Sequence, residues 1–196
     1  MTRFRLLFLL LLTAIAVPFA AADTIPLNFG SFGTVGTVTL TQNGLNVNVT
    51  FTANAGFTFK TNGSDFLFNT NGVSTSILAG SIVVNGTPYL GSFSFSSPAT
   101  RGGISYTYDL TKVNPKHVGE ATTVSFTLTG ITVADLEKGP FGVHVCVLSK
   151  GSSTDCSLTG FASSGTPTTV PEPGTLSLLG TGLVGLAGFF RRRLFS

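Results

Sequence analysis

From Val35 to Thr52 the chain reads VGTVTLTQNGLNVNVTFT, with apolar residues at every second position on either side of Asn43-Gly44. A period of two puts Val38 and Leu40, then Leu45, Val47, Val49 and Phe51, on one face of extended strands, and Thr and Asn on the other. Asn-Gly supplies the positive φ that a tight two-residue connection demands. The stretch therefore predicts an antiparallel hairpin with one face toward a core and one toward water.

The same grammar recurs downstream. Phe57–Phe59, Asp65–Asn69, Ser76–Val84 (ended by Asn85-Gly86), Gly91–Ser96, Ile104–Leu110, Thr122–Thr129 and Phe141–Leu148 all read as short strands separated by turn residues. The region is rich in Thr, Val, Phe, Gly, Asn and Ser and poor in Lys, Glu and Leu, a composition that favours pleated sheet over exposed helix. One helical turn is expected at Thr132–Glu137, with Thr132 as N-cap and Asp135 close behind. Many short strands at this spacing predict an all-β, antiparallel β-sandwich, jelly-roll or immunoglobulin-like, over residues 23–162. Residues 163–170, with Gly165 and Pro167, read as a polar linker.

Both ends of the chain are different in kind. Arg3 and Arg5 precede an apolar run, Leu6–Val17, that Pro18 breaks, and Ala20-Ala21-Ala22 follows. This is the layout of a signal peptide over residues 1–22, an N-terminal signal helix cut after Ala22 by signal peptidase, with Ala20 and Ala22 as the small residues of the A-x-A site. What remains, residues 23–170, is 148 residues long, enough for one domain with a real core. The whole chain carries a formal charge of +3, but residues 23–170 hold six Lys and Arg against seven Asp and Glu, a net of −1. That balance offers no basic face to nucleic acid.

The last stretch has three parts in order: Val170-Pro171-Glu172-Pro173, an uncharged run from Gly174 to Phe190, and Arg191-Arg192-Arg193. The prolines fix φ and keep the tripeptide extended. As a transmembrane helix, residues 174–190 reach roughly 25 Å against a hydrocarbon core of roughly 30 Å, a shortfall that snorkelling arginines can cover. The three arginines sit where positive charge holds a chain end in the cytoplasm and stops transfer. In this order, at the C-terminus, residues 170–196 resemble the PEP-CTERM sorting signal of Gram-negative bacteria, with Pro171, Glu172 and Pro173 as the sorting motif. The resemblance implies recognition by an exosortase, a transient stay in the inner membrane, and delivery to the cell surface or extracellular matrix, in a setting of exopolysaccharide and biofilm. It says nothing of what the domain upstream does.

Within that run, Gly180-Thr-Gly182-Leu-Val-Gly185 matches the spacing of a dinucleotide-binding loop. The motif has that meaning only between a strand and a helix, with an acidic residue about 20 positions on, and no acidic residue follows here. Its glycines read as small residues for close helix contact in lipid.

Chemistry-bearing residues are sparse elsewhere. Cys146 and Cys156 flank a Lys150-Gly-Ser-Ser turn, and in an oxidising export compartment such an even pair predicts a disulfide. His144 shares a strand face with Cys146 but has no second ligand at a usable spacing, and His117 lies beside Pro115. The acids Asp65, Asp109, Glu120, Asp135, Glu137 and Asp155 are scattered, and whether two converge as a glycosidase pair is open. No nucleophile elbow, zinc-protease helix or calcium loop is present, so no catalytic residue, metal ligand or cofactor is assigned. The expectation is a non-enzymatic exported protein, structural or adhesive. The alternatives are a carbohydrate-binding module, which would need Tyr89, Tyr106 and Tyr108 to form an exposed platform, and, after it, a glycan-active enzyme.

Overall fold

The protein's structure, a computed structural model, describes residues 22–61, 64–96, 98–111, 121–153 and 155–165. Of the signal peptide expected at residues 1–22 only Ala22 is described, and everything from residue 166 onward, including the expected span at 174–190, lies outside the described residues. Among the described residues no helix is long and apolar enough to cross a membrane.

The strands are β1 (Ala22–Asn28), β2 (Thr34–Asn43), β3 (Asn46–Ala53), β4 (Phe57–Phe59), β5 (Ser64–Phe68), β6 (Ser76–Ile77), β7 (Val83–Val84), β8 (Thr87–Pro88), β9 (Ser94–Ser96), β10 (Ala99–Arg101), β11 (Ile104–Tyr106), β12 (Tyr108–Thr111), β13 (Thr123–Thr129), β14 (Phe141–Leu148) and β15 (Cys156–Ser163). Thirteen of them form one sheet with the path β8-β7-β13-β3-β2-β1-β15-β14-β5-β12-β9, β4 adding to β14 and β6 to β13. Every pairing is antiparallel. The remaining two, β10 and β11, form a separate hairpin. One helical turn, α1 (Val133–Glu137), sits between β13 and β14.

The sheet curls because its inward side chains are large. Phe51 on β3 meets Phe66 on β5, Phe59 on β4 and Phe141 on β14, with centroids 5.0, 6.3 and 6.2 Å away. Its neighbour on β13, Phe126, lies 6.2 Å away on the same face. These rings, with Phe68, are 0–1% exposed. Burying each contributes roughly 1.5–3 kcal/mol, more than any surface contact in the chain offers. Closing two halves of one sheet over a phenylalanine core is thus how a Thr- and Asn-faced chain buries its apolar side.

The Val35–Thr52 hairpin is present with its alternation: Val38, Leu40, Val47, Val49 and Phe51 are fully buried. Its turn is shifted by one residue from expectation. Asn43 pairs with Asn46, so Gly44-Leu45 forms the connection, with φ +61° at Gly44. Glycine at the first central position is the signature of a type II′ turn. Leu45 therefore leaves the core face and is 80% exposed.

Ile104–Leu110 departs from the single alternating strand expected of it. Asn69 Oδ1 accepts hydrogen bonds from both the amide and the hydroxyl of Thr107, bending the chain there. Tyr106 and Tyr108 consequently belong to different strands and face different surroundings. β1 and β15 have no counterpart among the predicted strands. The helical turn is where it was expected, with the Asp135 carboxylate accepting from the Thr132 amide (3.1 Å) and hydroxyl (2.6 Å). Those two bonds hold the Asp135 carboxyl below its ordinary range.

Candidate functional site

Pro171, Glu172, Pro173, Arg191, Arg192, Arg193 and Ala20 lie outside the described residues. Ala22 is the first residue of β1 and pairs with Thr41. Cleavage after it would leave Asp23–Asn28 of the strand in place. At the other end, Ser164 is tied to the start of β14 by its amide to Phe141 O and by Phe141 N to its Oγ, both 2.9 Å. Because β15 runs antiparallel to β1, through Asn28 opposite Ser163, the chain leaves the domain heading toward the end where β1 begins.

Cys146 and Cys156 are bridged, with Cα atoms 5.4 Å apart. β14 and β15 place them diagonally, Cys146 opposite Thr159 and Leu148 opposite Cys156, with a register shift between Val147 and Leu148. The bridge closes the loop in which Ser149 N donates to Asp155 O at 2.8 Å. Cys146 is fully buried, so its sulfur is structural.

On β14, Phe141, Val143 and Val145 enter the core, and Gly142, His144 and Cys146 point to the outer face. A Cβ at Gly142 would lie 2.5 Å from the Tyr106 hydroxyl, so β11 packs directly over this face, and only glycine leaves the ring room. Burial pushes the Tyr106 phenol up to about 12. His144 pairs with Phe161 across the β14–β15 ladder and stacks on it, centroids 4.8 Å apart and planes 12° from parallel. Its imidazole is held below its ordinary range by burial, then by the positive charges of Lys60 and Arg101. Among the described residues no group of three or more His, Cys, Asp or Glu could hold a metal ion.

The tyrosines do not share a surface. Tyr106 is 2% exposed. Tyr108 stacks between Phe68 and Phe95, at 5.7 and 4.7 Å, and its hydroxyl accepts from Thr75 N. Tyr89 packs against the core and donates to Ser92 O at 3.2 Å. The flat aromatic platform that a carbohydrate module would need from these three is not formed.

Of the acids, Glu120 lies outside the described residues, Asp65 is placed only by its backbone in β5, and Asp109 is buried on β12. Two carboxyls do meet, Glu137 and Asp23, and sequence reasoning missed the second. Gln42 anchors α1 over β2, its Oε1 accepting from Val133 N at 2.8 Å, which brings Glu137 to the start of β1. Burial, a hydrogen bond to Asp23 and the Asp23 charge push Glu137 up to about 7. Glycosidase carboxyls stand roughly 5–9.5 Å apart to flank a bond. Hydrogen-bonded carboxyls are closer than that and share a proton with each other.

No curated protein and no solved structure matches the chain. The C-terminal stretch does have a match: residues 169–193 fit the family model of the PEP-CTERM protein-sorting motif. They span the Pro-Glu-Pro tripeptide, the apolar run and the arginines, and so this chain carries the sorting signal of an exported, membrane-passing protein directed to an exosortase.

Proposed function

We propose that the protein is a non-enzymatic component of the envelope or extracellular matrix of a Gram-negative bacterium, structural or adhesive, in a setting of exopolysaccharide and biofilm. The match of residues 169–193 to the sorting motif carries this reading. Signal peptidase removes residues 1–22, the apolar run halts in the inner membrane, and the exosortase cuts near Pro171-Glu172-Pro173. The cargo is a β-sandwich in the sense that two halves of one curled sheet face each other, a support being the rings of Phe51, Phe66 and Phe141 meeting across the core. Its strands present Thr and Asn to water, a neutral hydrogen-bonding surface suited to hydrated polymer. Intact mass of the protein from medium and from membranes tests the reading. Loss of both ends in the released form is expected, and a full-length chain in the medium would end it.

A further inference from the structure

β15 is held on one side only. β14 lies along it from Gly142 opposite Ser163 to Leu148 opposite Cys156, whereas β1 meets it at a single point, Asn28 opposite Ser163. Past Asn28 the chain curls into the 3-10 turn Gly30–Phe32 and bonds to itself, Phe29 N donating to Gly33 O and Phe32 N to Phe29 O, both at 3.0 Å. Among the described residues, no strand covers the far edge of β15 from Ser157 to Phe161. Exposure agrees. Ser157, Leu158 and Thr159 are exposed in succession. Leu158 is 48% exposed although it sits opposite Val147, which follows Val145 on the core-facing side of β14.

The other edges are blunted, the usual defence of a soluble sheet. β8 is two residues long and ends at Pro88, β9 has three residues, and β1 carries Asp23 and Pro26. β15 has eight residues and neither a charge nor a proline. Beside it lies an apolar lip: Phe57 of β4 opposite Val147 of β14, with Phe32, 46% exposed, edge-on to Phe57 at 6.1 Å.

We propose that the free edge of β15 is a pairing surface for β15 of a second copy of this chain, the two strands running antiparallel about a two-fold axis near Thr159. A strand paired with itself in this way is self-complementary, and with no charge along Cys156–Ser163 it sets no like charges opposite each other. Outward N–H and C=O groups of each copy satisfy those of the other, and Leu158 gains cover. The chain's own linker is a poorer occupant. A return along β15 would start at Ser163, where Asn28 already holds the edge, and Pro167 lacks a donor. Each copy offers one such edge among the described residues, so pairing closes at a dimer. None of this depends on how the tail is sorted.

The test is hydrogen exchange read by mass spectrometry on the full chain in detergent, from dilute to concentrated, with sedimentation velocity on the same samples. A dimer is expected as concentration rises, and amides within residues 157–161 should exchange roughly tenfold more slowly as it forms. Thr159→Lys and Thr159→Glu copies should each dimerise roughly fivefold more weakly, because the axis sets like charges against each other. An equimolar mixture of the two should recover pairing, which also shows that both variants are folded. Dimers whose β15 amides stay unprotected, or that both variants leave unchanged, are held by the apolar tail and overturn the proposal. A mixture that fails to recover, or a chain that is monomeric throughout, overturns it as well.

Discussion

Phe51 and Phe66 stand ring to ring, centroids 5.0 Å apart, although β2, β1, β15 and β14 lie between their strands along the hydrogen-bonded path. A flat sheet would hold those strands far apart, since each interval costs roughly 4.8 Å. The contact is therefore made by curvature, and the curvature is held by the rings.

Phe51→Ala should accordingly be among the most damaging single changes in the chain. It removes contacts to Phe59, Phe66, Phe126 and Phe141 at once and leaves a cavity between the two halves. A loss of about 3–5 kcal/mol is expected in urea unfolding. A loss under about 1 kcal/mol would mean that the halves close without this ring.

The Cys146–Cys156 bridge closes a short loop between adjacent strands. In the chain-entropy account this contributes about 2–3 kcal/mol. Denatured, unreduced protein should take up no alkylating reagent at either cysteine, and reduction should lower stability by that amount. Labelling of both thiols without reductant contradicts the bridge.

Glu137 gives stability a pH dependence of defined sign. Its folded value of about 7 lies above the ordinary 4.5, so between those limits the folded state holds a proton that the unfolded state has lost. Stability is fully present below about pH 4.5 and declines as pH rises through 7. The pair is only partly buried, so screening by solvent reduces the effect to about 1 kcal/mol. Glu137→Gln should flatten the decline and exceed the parent protein at pH 8. A free α-ammonium at Asp23, as cleavage after Ala22 would leave, favours the ionised pair, so protein cut there should show the shallower slope. Thermal melts from pH 4 to 8 on both forms decide it, and a rise in stability across the window would refute the assignment.

The tail's parts should be separable. With Pro171, Glu172 and Pro173 replaced by alanine, the chain should still insert yet accumulate full-length in the membrane, because the extended tripeptide is lost while the apolar run is intact. Replacing Arg191, Arg192 and Arg193 should instead loosen retention and release unprocessed chain. Immunoblots of membrane and medium distinguish the two. Normal trimming of the alanine variant would reduce the tail to a plain anchor.

What was legible in sequence was whatever announces itself locally. Val47, Val49 and Phe51 alternate because one face is buried, and Thr132 and Asp135 form their cap within a single turn. β1 and β15 were illegible for the opposite reason. Pro26 interrupts the first, and the second carries Gly160 after three consecutive exposed residues, Ser157, Leu158 and Thr159, so neither shows a clean alternation. Their place is set by neighbours distant in the chain. Tyr106 and Tyr108 were two apart on a clean alternation, and only Asn69, from another strand's end, turns them to different faces. Asp23 beside Glu137 is likewise a meeting of residues over a hundred positions apart, which no local pattern encodes.

The first strand of the domain has the last as its neighbour. During passage across the membrane β1 and its hairpin partners emerge early, but the edge of β1 that takes β15 stays open until the chain has crossed as far as Ser163. The sheet therefore closes late, and its closure reports that the domain has been delivered whole. Only residues 164–170 then separate it from Pro171, a reach of roughly 25 Å when fully extended. An exosortase acting at Pro171 would meet its target within that distance of the strand that closes the sheet.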